Sequence, residues 1–147
     1  MTTGEIHTRR EIPSATTQSI RVVVARSVVL ILTLLFVAGA LGQFFLAGMA
    51  VFDDPTRWPD HKSLGHIVGI GAMVIWIPAL LGRVGVRLIV ASFALLVLFE
   101  AQYGFANAGP GAVRALHAVN GAVMLVLACW MVRALLALIL NRRTADA

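Results

Sequence analysis

Four long apolar stretches separated by short polar breaks constrain this chain more than any other feature. They run from about Ser27 to Val51, His61 to Leu81, Leu88 to Phe105 and Ala112 to Leu140. At 1.5 Å of rise per residue, each is of the length a helix needs to cross about 30 Å of hydrocarbon. Hydrophobic residues make up 59% of the chain and charged residues 13%, with a mean hydropathy of +0.88. A soluble core built from 147 residues could not bury that much apolar surface. The pattern therefore predicts an all-α integral membrane protein, a four-transmembrane-helix bundle forming one domain over residues 21–143. Residues 1–20, polar and rich in Thr and Ser, read as a disordered cytoplasmic tail. Arg9-Arg10 is not read as a cleaved export signal, because the apolar run after it is too long and three more follow.

The net charge of +5 does not indicate nucleic acid as a partner, because the arginines cluster at the ends of the apolar runs. Arg9, Arg10, Arg21, Arg26, Arg83, Arg87, Arg133, Arg142 and Arg143 fall on one side of the predicted bundle. Arg57, Lys62 and Arg114 fall on the other, among aspartates. The positive-inside rule then places both termini in the cytoplasm and the histidine-bearing ends outside. Cys129 is the single cysteine, which rules out an intrachain disulfide. Residues 52–60 read as a polar loop, with Pro59 suited to a first helical turn. Pro78 is expected to kink or loosen the inner end of its span.

The second span opens with His61-Lys62-Ser63-Leu64-Gly65-His66, and the fourth carries His117-Ala118-Val119-Asn120-Gly121. In both, a glycine follows a histidine by four residues, which puts it one turn along on the same helical face. Gln43-Phe44 in the first span is matched by Gln102-Tyr103 in the third. Together these matches suggest a 2+2 parallel repeat with a spacing of about 56 to 59 residues, its axis along the membrane normal. Two imidazoles above bare backbone, on two helices of one bundle, form the arrangement a flat macrocycle requires. Neutral imidazoles on facing helices suit a six-coordinate heme iron.

Polar groups inside a span are costly and are candidates for function. His61 and His117 are the expected axial ligands, with Gly65 and Gly121 giving close approach and Gln43 and Gln102 facing the interior. His66 lies five residues past His61, about 140° round the helix. It suits a supporting role beside the heme, although pairing of His66 with His117 stays open. Glu100 could partner His66 in proton transfer, or could be a carboxyl snorkelling to the interface. Arg57, Lys62 and Arg114 at the outer mouth could hold two propionates or act as interfacial anchors. Gly65-x-x-x-Gly69 also has the form of a helix-packing motif.

The run Gln43 to Gly48, then His61-Lys62-x-Leu64-Gly65, and later Leu116-His117-x-x-Asn120, resemble a family of small four-helix bacterial membrane proteins of unassigned function. The layout is also similar to one four-helix half of heme A synthase and to transmembrane b-type cytochromes. The resemblance covers about residues 27–140. It implies a bacterial inner (plasma) membrane location and makes His61 and His117 ligands of heme b. Heme A synthase has two such halves and this chain has one, so the resemblance points to heme binding rather than to synthase activity.

The expectation is a b-type heme protein for electron transfer or heme handling, sitting in the lipid bilayer. One heme near one face cannot carry electrons across the hydrocarbon alone, so a quinone, an outer-face redox protein or a homodimer partner is implied. The rival reading is a cofactor-free accessory or structural subunit of a larger membrane complex.

Overall fold

The structure, a computed structural model, describes residues 20–143. The tail predicted over 1–20 lies outside the described residues except for Ile20. Four helices follow one another: α1 (Ile20–Phe52), α2 (Trp58–Leu81), α3 (Val86–Asn107) and α4 (Ala112–Arg143). A single 3-10 turn, Pro55–Arg57, joins α1 to α2. Each helix is long and apolar enough to cross a membrane, and no strand occurs among the described residues. This is the architecture of a multi-pass membrane protein.

The helix ends differ from the sequence reading in informative ways. α1 begins at Ile20 rather than Ser27, because Arg21 and Arg26 are carried on it as helix residues. The polar loop predicted over 52–60 is shorter than expected. Asp54 caps the 3-10 turn through its side chain, which accepts from the Thr56 N–H at 2.9 Å, and Trp58 already opens α2. Pro59 takes up the first turn of α2, where its missing N–H leaves nothing unpaired. Past Pro78 the helix continues to Leu81, and the Gly82 N–H closes it on the Pro78 carbonyl.

Consecutive helices run antiparallel around a ring, and α1 also packs on α4. The backbones of the diagonal pairs, α1/α3 and α2/α4, stay further apart. Apolar residues surround every helix, yet only a narrow stripe of each is buried. On α2 the stripe includes Val68, Ala72, Ile75 and Ala79; on α4 it is Met124, Ala128, Met131 and Leu135. These are the same positions of the predicted repeat, spaced alternately four and three as in a coiled-coil seam. Val29, Thr33, Phe36 and Ala40 on α1 correspond likewise to Leu88, Ser92, Leu95 and Phe99 on α3. Even the buried hydroxyls match. Thr33 Oγ1 donates to the Val29 carbonyl at 2.7 Å and Ser92 Oγ to the Ile89 carbonyl at 2.8 Å, so neither is left unpaired. The remaining faces, with Leu35, Phe45, Ile67, Ile70, Phe93, Val97 and Val126 exposed, suit contact with lipid chains.

One end of the bundle holds the α2–α3 turn, tightened by two left-handed residues, Arg83 at φ 46° and Gly85 at φ 94°. Arg26 reaches across from α1. Its Nε donates to the Gly82 carbonyl at 2.9 Å, and a terminal guanidinium nitrogen donates to the Arg83 carbonyl at 3.0 Å. A guanidinium just past the C-terminal end of α2 also meets the negative end of its dipole. Arg26, which the sequence reading treats as a basic flank, is 4% exposed. It ties the first helix to the turn between the second and third.

Candidate functional site

At the opposite end the bundle opens. The backbones of α2 and α4 stay apart, and the space at this end of the bundle, walled by side chains of all four helices, is a cavity of about 940 Å³. Apolar side chains form most of its walls, including Phe36, Phe44, Phe99 and Met124. His61 and His117 enter it from α2 and α4, with ring centroids 6.1 Å apart. Each histidine is held by the preceding helix through the same two bonds. His61 Nδ1 lies 3.1 Å from the Gln43 main-chain carbonyl, and Gln43 Nε2 donates to the His61 carbonyl at 2.8 Å. His117 Nδ1 lies 3.1 Å from the Gln102 carbonyl, and Gln102 Nε2 donates to the His117 carbonyl at 2.9 Å.

The clasp has a chemical consequence. A carbonyl oxygen only accepts, so Nδ1 of each ring must carry the proton and Nε2 keeps its lone pair. A ring fixed this way through Nδ1–H on a backbone carbonyl is prepared to ligate a metal through Nε2. Two imidazoles binding one metal from opposite sides, each at about 2 Å, would have centroids about 6 Å apart. The donor set, the spacing and the apolar walls therefore fit a flat metal macrocycle carried between α2 and α4. Among the described residues there is no group of three or more His, Cys, Asp or Glu that could hold a bare metal ion. A cofactor that brings its own equatorial ligands needs only the two.

The glycines divide their work differently from the sequence reading. Gly65 and Gly121 both line the cavity. A Cβ at Gly65 would touch the Gln43 amide at 3.5 Å, and one at Gly121 would crowd Gln102 Nε2 at 3.3 Å and Phe44 Cζ at 3.5 Å. Their bare backbone makes room first for the glutamines that hold the histidines. Gly69, the next turn along α2, is filled from α3, since a Cβ there would lie 2.3 Å from Phe99 Cζ. The small-residue stripe is therefore site at Gly65 and helix packing at Gly69.

The two clasps are not equal. Asn120, buried on α4, donates through Nδ2 to Gln102 Oε1 and, at 2.9 Å, to the Leu98 carbonyl. Its matching position on α2 is Leu64, so Gln43 Oε1 has no such donor. His61 is braced instead by Trp58, whose ring meets it edge-on at 5.5 Å. The sequence reading left Trp58 in the loop.

Other expected residues fall around this centre. Lys62 and Arg114 line the mouth of the cavity. Arg57 does not; it is exposed and lies 3.8 Å from Asp53 one turn before it. His66 lines the cavity edge without approaching His117, and its hydrogen-bond partner is Tyr103 rather than Glu100. His66 Nδ1 lies 2.7 Å from the Tyr103 hydroxyl, with the two rings nearly parallel. Glu100 is exposed on α3. Tyr103 entered the sequence reading only as half of a repeated dipeptide, and nothing in that dipeptide marks it as a partner for His66.

Outside the spans, Asp54 shows one resolved electrostatic effect. Hydrogen bonds from the Thr56 hydroxyl and N–H, helped by the charge of Arg57, hold its carboxyl below the usual aspartate range.

Residues 43–109 match a family of unknown function (DUF6220), under half of the 147-residue chain. The matching segment begins at Gln43, takes in His61, Gly65, His66 and Gln102, and ends before His117. No curated protein and no solved structure matches the chain. These comparisons carry no link to heme A synthase or to b-type cytochromes, so a cofactor reading stands on the residues themselves.

Proposed function

We propose that the protein binds one heme b between α2 and α4, with His61 and His117 as axial ligands, and serves in electron transfer or heme handling. The observation that carries this reading is the pair of imidazoles 6.1 Å apart, each with Nδ1 on a backbone carbonyl and Nε2 left for a metal. Gln43 and Gln102 orient the rings, Phe44 and Phe99 keep water from the centre, and Lys62 and Arg114 stand where propionates would reach the mouth. His61 and His117 would hold the iron together, and the group would supply one-electron chemistry there. Charge asymmetry supports a bacterial plasma-membrane orientation with both termini inside and the cavity toward the outer face.

The absorbance spectrum of the purified protein tests the reading. Sharp Soret and α bands that change on reduction are expected. A preparation from heme-replete cells that shows none, and gains none when hemin is added, would overturn it. A cysteine at Thr56 should react with an impermeant reagent from outside intact cells; protection there would reverse the orientation.

A further inference from the structure

The α2–α3 seam carries a polar group that the heme reading does not use. His66 lies about 12 Å along α2 from Trp58, and Glu100 about 10 Å along α3 from its end at Asn107. Both are therefore level with acyl chains, and both are exposed on the bundle surface, as is Tyr103 one turn nearer the end. Ionisable side chains at such positions are expensive.

The second half of the repeat acts as a control. The positions matching His66, Tyr103 and Glu100 on the α4–α1 seam are Ala122, Phe44 and Leu41, none of which can ionise. The fold closes that seam without polar groups, so helix packing alone does not account for them. His66 and Tyr103 also line the cavity that holds the histidine pair, which puts them at the boundary between it and the bilayer.

We propose that the α2–α3 seam binds the head group of a lipid-soluble quinone, with His66 and Tyr103 as its hydrogen-bonding partners. The setting selects the ligand. A molecule arriving at this depth comes through hydrocarbon and must have an apolar tail. No cation of α2 or α3 stands at this level to pair with an anionic head; the nearest on α2, Lys62, is a turn closer to the mouth, where phospholipid phosphates lie. The head is thus neutral and polar; because the Tyr103 hydroxyl and His66 Nδ1 are bonded to each other, the pair has one proton left to donate to it, from the phenol or from Nε2. Phe99, packed edge-on against Tyr103 at 5.3 Å, adds an aromatic surface beside it. Among neutral membrane-soluble molecules, the choice of a quinone rests on the heme reading, because such a carrier can exchange electrons with an iron centre one cavity wall away.

The test is photo-cross-linking of the full-length protein in phosphatidylcholine nanodiscs with a short-tailed azido-quinone, mapped by mass spectrometry. Label is expected on α2 and α3 around His66 and Tyr103, competed away by decylubiquinone. The variants Tyr103→Phe and His66→Ala, which install the residues of the other seam, should each weaken competition about tenfold, as loss of one good hydrogen bond does. Circular dichroism and elution volume confirm that the variants fold. Equal label on the α4–α1 seam, label unchanged in both variants, or equal competition by a sterol would overturn the proposal. The absorbance of the same sample separates this from the heme reading. Label without heme bands refutes the heme and keeps the seam as a quinone site, whereas heme bands without label refute the quinone site alone.

Discussion

In the α1–α2 half, His61 is held by a glutamine and braced by an indole; in the α3–α4 half, His117 is held by a glutamine that Asn120 holds in turn. Deeper in the bundle the same positions are buried in both halves, down to the paired hydroxyls of Thr33 and Ser92. Likeness in the core and divergence at the mouth teach where the shared scaffold stops. Whatever both halves have, namely the buried stripes, the histidines, the glutamine clasps and the glycines after the histidines, serves the cavity as a symmetric object. Whatever only one half has, namely Asn120, Trp58 and the His66–Tyr103 pair, gives the two faces of the cavity different chemistry.

The largest effect expected is on the symmetric element. His61→Ala and His117→Ala should each abolish the low-spin electron paramagnetic resonance signal of bound heme, because two ligands are needed and the other histidine of the cavity, His66, is bonded to Tyr103. His66→Ala should keep that signal. Should His66→Ala lose it while His61→Ala keeps it, the pairing across α2 and α4 is wrong.

A smaller effect is expected where the halves differ. Asn120→Leu copies Leu64 of the first half, so the side chain is one the fold already accepts in that setting. It leaves the Leu98 carbonyl and Gln102 Oε1 without their donor, costing about 1–3 kcal/mol. In nitrogen-15 spectra of the heme-free protein, His117 should lose part of its Nδ1–H preference while His61 is unchanged. Equal shifts at both rings would mean that the clasps are coupled through the cavity and are not separate.

The smallest effect concerns the two connectors at the cavity end. The α1–α2 connector is capped by Asp54, and residues 108–111 between α3 and α4 contain no acid. A carboxyl held below its ordinary range stabilises the fold above the unfolded value of about 4 and loses that contribution as pH falls through its lower folded value. Acid titration should therefore loosen the Asp54 turn first, seen as faster amide exchange at Thr56, and Asp54→Asn should remove most of that pH dependence.

Much of this was legible in the sequence. Apolar length gives four helices, because nothing else buries such runs, and the offset between His61 and His117 gives the repeat. The clasp was not legible. That Gln43 and Gln102 face inward follows from spacing, but that each exchanges two bonds with a histidine depends on how far the helices rotate and slide, which no single helix encodes. The partners of Arg26 were not legible for a related reason, since a basic residue near a span end looks the same whether it meets lipid head groups or the carbonyls of a distant turn. The partner of His66 was missed because chemistry suggests first the acid of α3, Glu100, and which residue of α3 meets His66 depends on the rotation of that helix, which brings Tyr103 there instead.

The separation of α2 from α4 has a bearing on the life of the protein in the cell. A bundle with a cavity of about 940 Å³ at one end lacks the contacts that would fill that space in a closed bundle, and an occupant supplies them. A ligand that binds only the folded chain adds stability that grows with its free concentration, about 2.7 kcal/mol at a hundred times Kd. Against the narrow margin of most folded proteins, that difference is enough to alter how quickly proteases remove the chain. On the heme reading proposed above, the steady-state amount of this protein should rise and fall with heme supply at constant synthesis, making its abundance a gauge of the cofactor as much as of its own expression.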